Sequence, residues 1–121
     1  MNGRLDQFRV LIVEDEVFIA LDLLHAVEDA GGEAVGPATT LAQALVLIAA
    51  DGLHGAILDV NLHDGHIGPV LEALRPEVAV VVHTGVDLPR ELKQRFAHIP
   101  VFIKPTPPAI LTGHLATLLQ H

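Results

Sequence analysis

Apolar residues along the chain fall into two alternating kinds of segment. Five runs are continuous: Phe8 to Val13, Ala34 to Val35, Ala56 to Val60, Val78 to Val82 and Val101 to Ile103. Unbroken runs of this kind predict strands covered on both faces, because a strand with one wet face alternates apolar and polar residues. Between the runs, apolar residues recur every three or four positions: Val17, Ala20, Leu21, Leu24 and Val27; Leu41, Ala44, Leu45 and Ile48; Leu111, Leu115, Leu118 and Leu119. That spacing gathers each set on one side of an α-helix, so helices are expected to pack on a sheet.

Turn-forming residues set the boundaries. Gly31-Gly32 supplies a left-handed stop for the first helix, and Thr40 with Gln43 has the spacing of a capping box opening the second. Pro76 ends a short third helix, and the polar segment from Pro89 to Phe96 makes a brief fourth. Thr106 ahead of Pro107-Pro108 provides a cap and first turn for the last. The result is five β/α units without internal linker, repeat or low-complexity tract. Such alternation predicts one doubly wound α/β domain over residues 1–121, its core from about 8 to 120, with a parallel sheet and right-handed crossovers.

Open sheets of that type carry their chemistry beyond the carboxyl ends of the strands. Glu14-Asp15 follows the first run, Asp59 the third, Thr84-Gly85 the fourth and Lys104-Pro105 the fifth. A carboxylate nucleophile, acidic metal ligands, a hydroxyl and a lysine are what phosphoryl transfer onto an aspartate requires. Three converging carboxylates repel one another unless a cation offsets them; Mg2+, which prefers oxygen and keeps waters for a substrate phosphate, is the expected ion. Asp15, Asp59 and the backbone carbonyl of Asn61 would be its protein ligands, with Glu14 shaping the field or holding a metal-bound water. Taken singly, these residues have ordinary readings, since acidic pairs open helices and Thr-Gly and Lys-Pro mark turns. Their order on successive strand ends favours a shared site.

Composition narrows the partners. A chain of 121 residues suits one core, and without cysteine it has neither disulfide nor thiolate metal site. Fifteen acidic against seven basic residues give a formal net charge of -8, which argues against direct nucleic-acid binding. No apolar stretch reaches the roughly 20 residues of a membrane span, and the amino terminus lacks a signal-peptide pattern, so a soluble protein of the bacterial cytoplasm is expected. Of eight histidines, His63 and His66 lie soon after Asp59. With no third ligand at defined spacing they are read as solvated loop residues, and His83 as a packed or partly exposed strand residue.

From Phe8 to the last helix, the order acidic pair, aspartate, threonine, lysine-proline resembles the receiver domains of two-component response regulators. It looks most like single-domain receivers whose fourth strand ends in an aromatic-Ala-Thr-Gly-Tyr motif. The corresponding stretch is Val82-His83-Thr84-Gly85-Val86, and Gly36-Pro37 and Leu58-Asp59-Val60-Asn61-Leu62 also look like that group. The resemblance implies a flavodoxin- or CheY-like (βα)5 fold with strand order 2-1-3-4-5. It implies that Asp59 accepts a phosphoryl group from a sensor histidine kinase or histidine phosphotransfer protein, while Glu14 and Asp15 organise the magnesium. Lys104 would pair with carboxylate or phosphoryl oxygen, Thr84 would swing its hydroxyl onto a phosphoryl oxygen, and a cis peptide before Pro105 would aim Lys104 into the cleft. The implied catalysis is on the chain itself, transfer followed by slow hydrolysis, rather than on an outside substrate.

Some positions depart from the pattern. Val101 stands three residues before Lys104, where receivers often carry a rotating aromatic, and Phe102 is expected on the opposite face of its strand. Pro107-Pro108 replaces an aromatic, and Val86 offers no polar group to a hydrolytic water. The first helix carries a second apolar set, Phe18, Ile19, Leu23 and Ala26, which either docks a partner's helices or is buried between neighbours. Three function classes follow. The first is a phosphoacceptor switch acting on an unknown downstream protein, with a homodimer as one possible output. The second is a phosphorylation-independent binding module on the same fold. The third, a metal-dependent phosphohydrolase, usually needs a second acid where this chain has Asn61. With no output segment after the last helix, the chain is expected either to act alone or to belong to a longer regulator.

Overall fold

The computed structural model of the protein describes residues 4–120; positions 1–3 and 121 of the expected domain lie outside the described residues. Along the chain run β1 (Arg9–Val13), α1 (Val17–Asp29), β2 (Glu33–Ala38), α2 (Leu41–Ala49) and β3 (Gly55–Leu58). A small hairpin, β4 (Asn61–Leu62) and β5 (Gly65–His66), precedes α3 (Gly68–Ala73), β6 (Ala79–Thr84), α4 (Arg90–Arg95), β7 (Val101–Ile103) and α5 (Pro108–Leu119). Five parallel strands are ordered β2-β1-β3-β6-β7, the expected 2-1-3-4-5 order once the hairpin is set aside. Among the described residues no helix is long and apolar enough to cross a membrane.

The unbroken apolar runs follow from burial of both sheet faces. Successive strand residues point to opposite sides, so Leu11, Val13, Leu58 and Val82 pack with Ala44, Val70, Leu71 and Leu92 from α2, α3 and α4. Val10, Ile12, Ile57 and Val81 pack on the other side with Leu23 and Val27 of α1 and Leu111 and Leu115 of α5. Full cover holds for β3 and for β1 from Val10 onward but not for the edge strands. β2 is longer than its short apolar run and partly exposed, while β7 leaves Ile103 in solvent. Val101 and Phe102 do take opposite faces, with Phe102 meeting the His114 ring edge-on at 5.3 Å.

Three helices are rotated or capped differently from the expectation. On α1 the sheet-facing residues are Ala20, Leu23 and Val27, whereas Val17 and Leu21 are exposed. The helix is apolar on so many sides that spacing alone leaves its rotation open, and contact with β2 and α5 selects it. On α2, Leu47 rather than Leu45 turns inward, and on α5, Ala116 rather than Leu118 does. Thr106 does not cap α5: Pro107 holds that position, and the Thr106 hydroxyl donates to the Ile103 carbonyl at 2.7 Å.

Gly31, at φ +89, ends α1 as expected. Thr40 Oγ1 accepts from Gln43 N at 3.1 Å, but Gln43 Oε1 returns to Thr39 N at 2.8 Å, one residue short of a full capping box. A further cap comes from far along the chain. The Asp64 carboxylate accepts from Leu41 N at 2.8 Å and Ala42 N at 3.2 Å, and the Leu41 bond leads in holding its pKa below the ordinary value.

Ahead of the site, β2 bulges. Leu11 pairs with Val35 and Val13 with Ala38, so Gly36 and Pro37 together oppose Ile12. The offset delivers the Ala38 carbonyl to Glu14 N at 2.9 Å. Gly36 sits at φ +99, and a Cβ there would lie 2.7 Å from Ala38 N and 3.0 Å from the Ile12 carbonyl oxygen. Gly36→Ala is therefore expected to cost about 1–3 kcal/mol, read as a lower urea midpoint at unchanged slope. Gly113→Ala, inside α5 with nothing within 4 Å of the added carbon, is expected to gain about 0.5–1 kcal/mol in the same assay.

Candidate functional site

Three strand ends build the site. Glu14 follows β1 directly, and Asp59 follows β3 with its N–H still donating to the Val13 carbonyl at 2.9 Å. Lys104 follows β7, donates its own N–H to the Thr84 carbonyl at 2.8 Å, and precedes Pro105 through a cis peptide. The Lys104 ammonium then donates to Asp59 Oδ2 at 3.3 Å, Glu14 Oε2 at 3.2 Å and Glu16 Oε2 at 2.6 Å. One carboxylate oxygen from each of Glu14, Asp15, Glu16 and Asp59 lies within 4.8 Å of the others.

The fold thus brings together Glu14, Asp15, Asp59 and Lys104 and adds Glu16, which sequence reasoning left out. A signal for it existed. Glu14 and Glu16 stand two apart just past a strand, the spacing at which extended residues share a side, and Glu16 N donates to Glu14 Oε2 at 3.2 Å. Thr84 is the last residue of β6 rather than the residue after it; its buried hydroxyl accepts from Val86 N at 3.2 Å. Asn61, exposed, opens β4 two residues past Asp59. Asp59 Oδ1 accepts from Val60 N at 2.8 Å, which with Lys104 fixes the carboxylate's orientation.

Four carboxylates against one ammonium leave the cluster strongly negative. Glu14, only 1% exposed, has its pKa raised from 4.5 to about 7, first by burial and then by the charge of Asp59, against bonds from Lys104 and Glu16 N. Lys104 is shifted above its ordinary value: burial opposes its charge, but hydrogen bonds to Glu16 and Glu14 and the charges of Glu14 and Asp59 prevail. Glu14 Oε1 lies 3.1 Å from Lys104 Nζ without hydrogen-bond geometry, a buried oxygen with no partner. Oxygen donors, excess negative charge and an unsatisfied buried carboxylate oxygen fit a hard dication such as Mg2+.

Two histidines border the cluster. His83 is buried in β6, accepts at Nε2 from Thr106 N at 3.3 Å, and is held below the ordinary imidazole pKa by burial and then by the Lys104 charge. It is a packed strand residue. His63 differs from its reading as a plain loop residue: although exposed, its Nε2 lies 3.6 Å from Asp15 Oδ2. Beside the cluster along α1, Val17, Phe18 and Leu21 are exposed, Phe18 by 84%. Leu23, placed in the outward set by spacing, belongs to the core instead.

No family model matches the chain. It is 31% identical over 105 residues to the phyllosphere-induced regulator PhyR of Methylorubrum extorquens, a match over 86% of this chain and 33% of that protein. A response regulator receiver protein from Sinorhizobium medicae matches with a TM-score of 0.83 at 21% identity, over 96% of this chain and 97% of that one. The anti-anti-sigma factor PhyR from Bartonella quintana matches with a TM-score of 0.72 at 25% identity, over 94% of this chain and 48% of that one. The chain therefore spans a third of the length of its curated relative and about half of that solved PhyR. It has the fold of response regulator receiver domains and is similar in sequence to PhyR.

Proposed function

We propose that the chain is a phosphoacceptor switch: Asp59 takes a phosphoryl group from a phosphohistidine of a sensor histidine kinase or histidine phosphotransfer protein, and the acyl phosphate favours a conformation that meets a downstream protein. The observation that carries this reading is the Lys104 ammonium, 3.3 Å from Asp59 Oδ2, in a cluster where Glu14 and Asp15 from the end of β1 meet Asp59 from the end of β3.

Each residue has a stated part. An Asp59 carboxylate oxygen attacks phosphorus while the phosphorus–nitrogen bond of the donor breaks, and the departing histidine nitrogen keeps the electron pair and takes a proton from solvent. Asp15, Asp59 and the Asn61 carbonyl, with Glu14 beside them, would hold Mg2+, which would supply positive charge against the phosphoryl oxygens. Lys104 pairs with a phosphoryl oxygen in place of its free-state carboxylate partners. The Thr84 hydroxyl now accepts from Val86 N and still has its own proton to donate, so it can bond a phosphoryl oxygen and draw the loop after β6 inward. With Val101 in place of a rotating ring, output travels through backbone and helix shifts.

Val17, Phe18 and Leu21 next to Glu16 offer the phosphodonor an apolar surface beside the site. The chemistry acts on the chain itself, in the bacterial cytoplasm. The likeness to a protein named an anti-anti-sigma factor supports a protein of the anti-sigma kind as the downstream target, in keeping with the net charge of -8.

With acetyl phosphate and Mg2+, intact mass should show one PO3 unit added to the wild-type chain and none to Asp59→Asn. A wild type that takes no label would leave the phosphorylation-independent binding module as the better reading. The magnesium requirement has a thermal signature. Folded Glu14 holds its proton to about pH 7 against 4.5 when unfolded, so its contribution favours folding below pH 4.5 and is lost as pH rises through 7. Mg2+ should therefore raise Tm more at about pH 8 than at pH 5, and Glu14→Gln should narrow that difference. Val86→Glu, which puts a carboxylate near the expected path of water, should shorten the acyl-phosphate lifetime by about tenfold; unchanged or slower decay rules that role out.

A further inference from the structure

We propose that the acidic cluster also takes a borderline divalent ion of the Co2+ and Zn2+ class, with the imidazole of His63 as a protein ligand. This rests on reading the cluster as a cation site and extends it to a nitrogen donor and a second class of metal.

His63 and Asp64 are the two turn residues of the β4–β5 hairpin, between the paired Leu62 and Gly65. Asp64 is tied down by its bonds to Leu41 N and Ala42 N at the start of α2. The hairpin tip is thereby held from one side while His63 reaches the other, placing Nε2 3.6 Å from Asp15 Oδ2. Two atoms bound at about 2.1 Å to one ion stand about 3.0 Å apart at right angles and about 4.2 Å apart when opposite, so this separation lets both reach a shared ion with little movement.

Asp15 is itself a member of the convergent carboxylate set, and Glu14 Oε1, enclosed in protein and without a hydrogen bond although 3.1 Å from the Lys104 ammonium, is a second oxygen donor. An imidazole adds little for Mg2+, a hard ion that favours oxygen and retains its waters. The same nitrogen raises affinity for Co2+ or Zn2+, whose preference for imidazole over water is strong. Coordination through His63 and Asp15 would also fasten the hairpin tip to the loop between β1 and α1.

The test is a calorimetric titration of the full chain with Co2+ and with Mg2+ at about pH 8, for wild type, His63→Ala and His25→Ala, the last an exposed histidine on α1. Co2+ should bind wild type about tenfold or more tightly than Mg2+. His63→Ala should lower Co2+ affinity by about tenfold or more, alter the visible Co2+ spectrum, and leave Mg2+ affinity within about twofold. That unchanged Mg2+ value also shows that the variant is folded. His25→Ala should change neither. Equal Co2+ affinity in wild type and His63→Ala overturns the proposal, as does Co2+ binding that survives Asp15→Asn undiminished. Binding of Co2+ that depends on His63 and Asp15 while Mg2+ fails to bind upholds the imidazole site and instead removes magnesium from the proposed phosphotransfer.

Discussion

One ammonium group holds the carboxyl ends of these strands together. Four carboxylates meet beyond the strand ends, and Lys104 is the cation that contacts three of them. Its reach depends on backbone. The β6–β7 ladder continues one step past Ile103, through Lys104 N to the Thr84 carbonyl, and so fixes where the side chain starts. The opposing carboxylates are set by the same device, since Glu14 and Asp59 each donate their own N–H to a neighbouring strand residue. The charges are thus placed by strand pairing rather than by side-chain flexibility, the kind of preorganisation that lets electrostatics act at a reacting centre.

That arrangement stores repulsion. Glu14 is buried, its pKa lifted to about 7, and one of its oxygens goes without a hydrogen-bond partner. A buried carboxylate in this condition is costly for the fold, and a dication beside it would relieve the repulsion that the free protein bears. Stability is offset elsewhere, in the two apolar layers that cover both faces of β1 and β3.

Much of this was legible in the sequence, and the failures have causes. Continuous apolar runs give buried strands directly, and strand ends locate the chemistry, so Glu14, Asp15, Asp59 and Lys104 could be placed from order alone. The rotation of α1 could not, because Val17, Phe18, Ile19, Leu21 and Leu24 allow several apolar faces and only contact with the sheet decides among them. Thr106 looked like a cap by type, but its hydroxyl found the Ile103 carbonyl first. Glu16 stands past the acidic pair, where an acidic residue ordinarily opens a helix, and His63 and Asp64 belong to no local pattern. Their partners, Asp15 and the first amides of α2, are remote in sequence.

Asp64 has a mechanical consequence. A turn residue only five positions past Asp59 is seated as an anion on the first two amides of α2. If the segment leaving Asp59 is displaced, the hairpin must either pull that anion off its perch and fray the first turn of α2, or carry the helix with it as a crank carries a rod. In both cases the displacement would reach α2, on whose outer face Val46 is exposed. The Asp64 cap is thus a mechanical link from the hairpin to the flank opposite β7.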